Sequence, residues 1–401
     1  MTEREEGGHG EGCMWWKSKT CVAGFEECSL RDNSGSTETR TKILAAIVVA
    51  AVVSGCSSGG GTAVAPPPQG PPDFFFVANL SQTIQGFDQQ SGHLAVIPGS
   101  GTQIPFPPSS FTADPQGQLL GAVEIQDIHT RQVQLVAIQA GGTLQPGAQV
   151  SVPGAVALAL SGNRLLAVID QDNEQVEVFS IQNGTPAMVS SAPTGQLPVD
   201  VLFSADGKKL YVANEFGGSI SVYSVAANGT VQPVQTLQLQ LAPGQIIAPV
   251  VRLRFNPSGD RLAATTGMGQ LYVSQVGAVD GTLSGTQESI VADGANLQEV
   301  IFDPSGRNIY TGDQDNGGLY EFAVASDGST TPLTGSPLPT MPLLTGMVTN
   351  SAGDRLYALN AGNSEVATYL RDIATGKLTA TAEVVSSGGF LPGRIVRVPA
   401  H

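Results

Sequence analysis

A turn glycine beside a small or polar residue recurs seven times along this chain, each time followed by an alternating apolar stretch. The seven glycines are Gly92, Gly142, Gly184, Gly229, Gly281, Gly328 and Gly376, so that successive members lie 42 to 52 residues apart. A near-constant period in this range is typical of radial arrays of β-sheets, in which every repeat is one supersecondary unit. The sequence therefore predicts an all-β fold built from repeats rather than one continuous core.

The repeat at residues 198–240 shows the expected unit most clearly. Turn residues, among them Asp206-Gly207 and Asn228-Gly229, separate four apolar segments that favour β-strands, at 199–203, 210–213, 220–225 and 231–239. The unit is a four-stranded antiparallel meander. Because one meander has two faces to cover, we expect consecutive units to pack face to face as the blades of a β-propeller.

The two ends of the chain each carry part of one further blade. Phe74 to Val77 form a strand of the second type with no first strand before it, and Gly393 to Val398 form a first-type strand with nothing after it. Pairing these strands would close the ring and remove exposed sheet edges. We therefore predict a seven-bladed β-propeller over residues 73–401, closed by its C-terminal strand and monomeric.

Composition excludes several functional classes. The chain carries a net charge of −15, and the part after Cys56 has 13 Lys and Arg against 26 Asp and Glu. Nucleic acid is therefore not an expected partner, because phosphate neutralisation needs clustered Lys and Arg. No cysteine follows Cys56, so we expect no disulfide or thiol chemistry there, and we predict neither a metal nor a cofactor.

One repeated motif could be interpreted differently. Asp-Gln-Asp-Asn occurs at 170–173 and again at 313–316, with oxygen ligands at alternate positions that could bind Ca²⁺. Asp and Asn are also ordinary turn residues, and neither copy has the distal bidentate glutamate of an EF-hand loop. We interpret both copies as turns.

The segment before the repeats resembles a targeting signal. Arg40 and Lys42 precede the largely apolar stretch from Ile43 to Val53, which is short for a membrane span but suits a signal-peptide core. Val53-Ser54-Gly55-Cys56 resembles a bacterial lipobox, with Cys56 lipidated, although an ordinary signal peptide with a chance cysteine would look similar. We predict a signal peptide at 40–55, a Gly/Ser/Pro tether at 56–72 and a lipoprotein held at the outer membrane, facing the periplasm or the cell surface.

Residues 1–39 do not fit this scheme. They are acidic and contain Cys13, Cys21 and Cys28, whose spacings match no common zinc motif. We interpret them as an over-extended gene start or a disordered segment.

A second set of turn glycines locates candidate channel residues: Gly117, Gly162, Gly207, Gly259, Gly306 and Gly353. The residue seven positions before each of them is predicted to lie at the start of an innermost strand. These residues are Ser110, Ala155, Asp200, Arg252, Glu299 and Gly346. Three adjacent blades thus present a carboxylate, a guanidinium and a carboxylate, with Arg252 predicted between the two acids. Such a row could bind a polar ligand or form a self-neutralising set of ion pairs. Glu215 and Arg394 could contribute to the same mouth.

The stretch from Phe203 to Tyr223, which contains Asp-Gly-Lys-Lys-Leu-Tyr-Val-Ala-Asn-Glu, resembles the repeat of the seven-bladed lactonase family. That family includes 6-phosphogluconolactonases and muconate-lactonising enzymes, and the stretch is also similar to the YVTN repeats of surface proteins. The resemblance covers residues 73–400 and implies the propeller fold. The Asn-Glu pair of the family matches Asn214-Glu215, whereas its Pro-Arg-His segment is replaced by Pro198-Val199-Asp200.

Two functions follow as alternatives. The chain could be an envelope module that binds a small polar ligand or an envelope protein, which the missing Arg-His pair and the scarcity of histidine favour. Only His93, His129 and His401 follow Cys56. Alternatively, the resemblance implies a lactone hydrolase. In that case Glu215 or Asp200 would act as the catalytic acid or base, and Arg252, Glu299 and Arg394 would bind the substrate.

Overall fold

The computed structural model describes residues 73–90, 92–126, 131–240 and 246–400. The predicted signal peptide, Cys56, the tether and residues 1–39 lie outside this part, as do His129 and His401. In the described part, no helix is long and apolar enough to cross a membrane. The architecture is all-β, with seven antiparallel sheets arranged in a ring, each with four main strands and one with a short fifth strand, which confirms the predicted fold.

The blades follow the chain in order, and within each blade the strands run from the channel outward. Blade 1 contains β29 (Pro392–Pro399), β1 (Asp73–Asn79), β2 (Thr83–Gln90) and β3 (His93–Val96), with the short β4 (Thr102–Gln103) beside β2. Blade 2 contains β5 (Pro108–Ala113), β6 (Leu119–Glu124), β7 (Gln132–Ile138) and β8 (Leu144–Ser151), with a 3-10 turn at Ala140–Gly142. Blade 3 contains β9 (Ala155–Leu160), β10 (Leu165–Asp170), β11 (Gln175–Gln182) and β12 (Thr185–Pro193).

The remaining four blades repeat this order. Blade 4 contains β13 (Pro198–Phe203), β14 (Lys209–Asn214), β15 (Ser219–Val225) and β16 (Val231–Gln238). Blade 5 contains β17 (Val250–Phe255), β18 (Arg261–Thr266), β19 (Gln270–Val276) and β20 (Leu283–Ile290). Blade 6 contains β21 (Leu297–Phe302), β22 (Asn308–Asp313), β23 (Leu319–Val324) and β24 (Thr330–Pro332). Blade 7 contains β25 (Leu344–Thr349), β26 (Arg355–Asn360), β27 (Glu365–Arg371) and β28 (Leu378–Ser386).

Turn chemistry accounts for the short connections. Asn183 and Gly184 join β11 to β12 and both have positive φ, at 50° and 80°. A two-residue turn with two left-handed positions matches the twist of the strands that it connects, and Asn-Gly is its preferred sequence. The local sequence therefore specifies how β11 turns into β12.

The hydrophobic core lies between neighbouring blades. Val201 and Phe203 of blade 4 pack in one buried cluster with Ala157 and Ile169 of blade 3. Each blade buries both faces in this way, and full burial of one such side chain contributes roughly 1.5–3 kcal/mol. The innermost strands contact one another in sequence around the channel, and β29 contacts both β25 and β5.

The C-terminal strand closes the ring as predicted. β29 pairs antiparallel with β1, with Phe76 opposite Val396 and Phe74 opposite Val398. On the adjoining face, the rings of Phe75 and Tyr357 meet edge to face at 4.9 Å and join blade 1 to blade 7. The first blade is thus assembled from both ends of the chain.

A bulge near the start of every innermost strand fixes which residues share a level of the channel. In β13, Pro198 lies opposite Asn214 and the register then shifts, so that Asp200 lies opposite Ala213. The third residues of the innermost strands form what we name the upper ring: Ser110, Ala157, Asp200, Arg252, Glu299, Gly346 and Arg394. The fifth residues form the lower ring: Thr112, Ala159, Leu202, Arg254, Ile301, Val348 and Val396.

The register corrects the expected equivalence in blade 3, where Ala157 takes the place assigned to Ala155. In the turn after β9 the left-handed position belongs to Arg164, with φ of 59°, whereas in the turn after β13 it belongs to Gly207, with φ of 68°. Gly162 lies two residues before Arg164, so a count back from the glycine selects a residue two positions too early in this blade.

Candidate functional site

Asp200 lies at one end of an arc of charged residues that spans the upper and lower rings. Its Oδ1 lies 3.2 Å from Nη1 of Arg252. Its Oδ2 accepts a hydrogen bond of 2.9 Å from the Leu253 amide and lies 3.5 Å from Nη1 of Arg254. Both oxygens of this carboxylate are therefore engaged across the interface between blades 4 and 5.

Glu299 continues the arc into blades 6 and 1. Its Oε1 lies 3.0 Å from Nη2 of Arg254, and its Oε2 lies 3.0 Å from Nη1 of Arg394. Burial raises the pKa of this carboxyl, while the charges of Arg254 and Arg252 act in the opposite direction. Because only 3% of the side chain is exposed, Glu299 organises the arginines rather than meeting solvent.

The structure changes one detail of the predicted row. Arg254, and not Arg252, bridges the two acids, because Arg252 turns its Nε to the Gln298 carbonyl at 2.9 Å. Arg254 is the functional candidate that the sequence analysis missed. The available signal was strand alternation, since Arg254 lies two positions after Arg252 and residues two positions apart in a strand point to the same face.

The charges in the two rings do not balance. Arg252, Arg254 and Arg394 are opposed by the carboxylates of Asp200 and Glu299, which leaves one excess positive charge among the fourteen ring residues. The whole chain carries −15, so this excess runs against the overall composition. A set of paired side chains with one excess positive charge favours the binding of an anion.

A cavity of 390 Å³ opens directly beside the arc. All seven residues of the lower ring line it, together with Ser110, Asp200 and Arg394 from the upper ring. Arg254 exposes 27% of its side chain, compared with 11% for both Arg252 and Arg394. The volume is within the range of about 300–1,000 Å³ that is typical of small-molecule sites.

Glu215 lies away from this cavity. It follows Asn214, which pairs with the first residue of β13, whereas the cavity is lined by Leu202 and Phe203 near the other end of that strand. At about 3.3 Å per residue, Pro198 and Leu202 are roughly 13 Å apart. Burial raises the pKa of the half-buried Glu215 carboxyl, with no neighbouring charge contributing. The structure thus brings Asp200, Arg252, Glu299 and Arg394 together and leaves Glu215 at the opposite mouth.

Asn214 has a structural role in this arrangement. It is fully buried, its Oδ1 accepts a hydrogen bond from the Gly195 amide at 2.9 Å, and its Nδ2 donates to the hydroxyls of Ser219 and Ser221. These bonds hold the loop that leads into β13.

The two Asp-Gln-Asp-Asn copies form turns. Oδ2 of Asp170 accepts from Nδ2 of Asn173 at 2.7 Å, and Oδ2 of Asp313 accepts from Nδ2 of Asn316 at 3.0 Å. In both copies the first carboxylate also accepts from a backbone amide of the turn. Over the part of the chain that the structure describes, no group of three or more His, Cys, Asp or Glu residues has an arrangement that could hold a metal ion.

Comparison with known proteins gives one family match and many structural matches. Residues 116–247 match the family model described as lactonase, seven-bladed β-propeller. A candidate 6-phosphogluconolactonase from Bacteroides uniformis is 19% identical with a TM-score of 0.72, over 82% of this chain and 100% of that one. A periplasmic gluconolactonase from Pseudomonas aeruginosa is 18% identical with a TM-score of 0.68, over 82% of this chain and 100% of that one. Curated protein sequences give no significant match.

Proposed function

We propose that this chain, a lactonase-like seven-bladed β-propeller, is a binding module that takes a small organic anion into its channel. The observation that carries the proposal is the excess guanidinium of the two rings beside an accessible cavity. Arg254 supplies the contact, because it is the most exposed arginine of the two rings and already lies in the cavity wall.

The physical basis is a charge-assisted hydrogen bond at a partly dry position. Asp200 and Glu299 hold Arg254 in one orientation, so that little side-chain freedom is lost when a ligand binds. The guanidinium of Arg254 is partly buried, with 27% of the side chain exposed, and this strengthens its attraction for an anion relative to a fully exposed charge. Arg394, fixed by Glu299, offers a second donor to the same cavity.

The proposed place of action is the cell envelope. The support is the lipobox-like sequence ending at Cys56 and the periplasmic location given for the P. aeruginosa gluconolactonase. Both point to a module that meets its ligand outside the cytoplasm.

Titration calorimetry with a panel of small organic anions tests the binding function. We expect at least one member to bind, and Arg254→Gln to weaken that binding by about tenfold or more, as the loss of one charge-assisted contact requires. Arg307→Gln is the matched control, because Arg307 lies exposed on the turn after β21 and loses the same charge. Equal affinities of the two variants for every anion would refute the proposal.

Lactone hydrolysis is the second candidate function. It is favoured by the half-buried Glu215 carboxyl with its raised pKa and by the family model, which is named for lactonases. In this reaction Glu215 would accept a proton from water while the water oxygen attacks the lactone carbonyl. The ring C–O bond then breaks, and the proton passes to the ring oxygen to give a hydroxy acid. Turnover of δ-lactones by the native protein and its loss in Glu215→Gln would support this candidate.

A further inference from the structure

We infer that the cavity takes a monocarboxylate with an apolar body, such as an aryl or branched alkyl carboxylate, rather than a polyhydroxylated or phosphorylated acid. The inference rests on the proposed binding function and names its ligand class. Three features of the cavity support it: the size of the charge excess, the character of the lower ring, and the pairing of the cation at the rim.

The charge excess matches a single negative charge. Three arginines face two carboxylates in the rings, so one carboxylate ligand would bring the set to neutrality. A phosphate, which carries up to two negative charges near neutral pH, would leave a buried negative charge without a partner.

The lower ring offers an apolar wall. Five of its seven members have no polar side-chain atom, namely Ala159, Leu202, Ile301, Val348 and Val396, and the other two are Thr112 and Arg254. An apolar ligand body gains by leaving water in such surroundings. The hydroxyl groups of a sugar acid would lose their water partners at this level and find one threonine hydroxyl there, because the other hydroxyl side chains that line the cavity, Ser110, Ser204 and Thr349, lie in the upper ring or beyond the lower ring.

The rim beyond the lower ring keeps the same character. The sixth residues of the innermost strands include Phe203, Phe255 and Phe302, and all three line the cavity. The cation at this level is Arg397, which is already paired with Asp73 at 2.9 Å. A second anionic group on the ligand would therefore meet a neutral pair rather than a free charge.

The experiment compares ligands that share a carboxylate and differ in their bodies. Benzoate, gluconate and 6-phosphogluconate are titrated by calorimetry into the native protein, with benzyl alcohol as the neutral analogue of benzoate. We expect benzoate to bind at least about tenfold more tightly than gluconate, and benzyl alcohol to bind weakly, because both the apolar wall and the charge are needed.

Two variants connect the preference to the lower ring. Leu202→Ser shortens an apolar wall residue, and Val348→Thr replaces a methyl by a hydroxyl at nearly constant volume, so that one of them remains informative if the other fails to fold. Both should weaken benzoate binding by about three- to tenfold and so lower the ratio of benzoate affinity to gluconate affinity. Arg307→Gln again serves as the control.

The outcomes separate the ligand class from the binding function itself. Gluconate or 6-phosphogluconate binding as tightly as benzoate, with loss in Arg254→Gln, would overturn the apolar monocarboxylate while the anion-binding function survives. Failure of all three anions to bind, or binding indifferent to Arg254→Gln, would overturn both.

Discussion

Nη2 of Arg254 lies 3.0 Å from Oε1 of Glu299, and this ion pair ties the innermost strand of blade 5 to that of blade 6. The same guanidinium lies 3.5 Å from Oδ2 of Asp200, so that it also reaches blade 4. One side chain thus joins three strands that are separated by whole repeats in the sequence. Its arrangement depends on the closed ring, and it combines a structural contact with a position in the cavity wall.

Arg252→Ala should reduce stability more than it reduces ligand binding. The substitution removes the contacts of Arg252 with Asp200 and with the Gln298 carbonyl, in a side chain that is only 11% exposed. We expect a loss of about 2–3 kcal/mol in the free energy of unfolding, below the 3–5 kcal/mol typical of broken buried pairs, because Asp200 keeps Arg254 and the Leu253 amide. Urea denaturation measures the loss, and a change under about 0.5 kcal/mol would contradict it.

Anion affinity separates the two arginines. Arg252 does not line the cavity, so Arg252→Ala should weaken anion binding less than Arg254→Gln does. A larger effect of Arg252→Ala in calorimetry would mean that the wrong arginine has been assigned to the ligand.

Glu215→Gln should raise thermal stability at neutral pH. Burial raises the folded-state pKa of Glu215 above its ordinary value of 4.5, so the folded protein holds this proton more tightly than the unfolded chain does. The cost of ionising this carboxyl in the folded state therefore grows as the pH rises from the unfolded-state pKa to the folded-state pKa and is complete above the latter. We expect Glu215→Gln to raise the melting temperature by up to about 2 °C at neutral pH, with the difference disappearing towards about pH 4. A gain that is equal at both pH values would contradict this origin.

Arg371→Met should destabilise the interface between blades 6 and 7. Arg371 and Asp303 are 2.5 Å apart with side chains 2% and 0% exposed, and the guanidinium also donates to the Tyr310 hydroxyl. Removal of the arginine leaves Asp303 buried without its cation, which typically costs about 3–5 kcal/mol. Denaturant melts of Arg371→Met and of the double variant with Asp303→Asn measure the effect. The double variant should recover part of the loss, and no recovery would show that the ion pair is not the cause.

Deletion of residues 391–401 should prevent folding of the ring. It removes β29, leaves β1 without its inner partner and exposes Phe75 and Phe76, which are fully buried in the native protein. Two exposed sheet edges favour aggregation. We expect loss of soluble folded protein on size-exclusion chromatography, whereas a control that lacks only residues 400–401 should remain folded. A soluble truncated protein with native thermal melting would contradict closure by β29.

Cys56→Ser should release the protein from membranes. If the lipobox-like sequence is processed, the thiol of Cys56 carries the lipid. The serine of the variant has no thiol to accept that lipid. Membrane fractionation and incorporation of labelled palmitate measure the change. Unchanged fractionation of the variant would contradict the anchor.

Much of the fold could be derived from local sequence. Turn glycines such as Gly207, with φ of 68°, need no information from distant residues, and strand alternation is equally local. The repeat period then determines that equivalent units recur, and the strand-like sequences at the two ends, Phe74 to Val77 and Gly393 to Val398, predict how the ring closes. Asp200, Arg252 and Glu299 could be placed at one level of the channel for the same reason.

Which of these charged side chains form ion pairs with one another was decided by the tertiary structure. A bulge at the start of each innermost strand sets the register, and the left-handed turn position of blade 3 falls on Arg164 rather than on a glycine, so that Ala157 rather than Ala155 lies in the upper ring. The curvature of the ring brings Arg254 between Asp200 and Glu299, and the strand direction places Glu215 at the other mouth. Distances between side chains of different blades depend on register and ring geometry together, and neither of these is encoded within a single repeat.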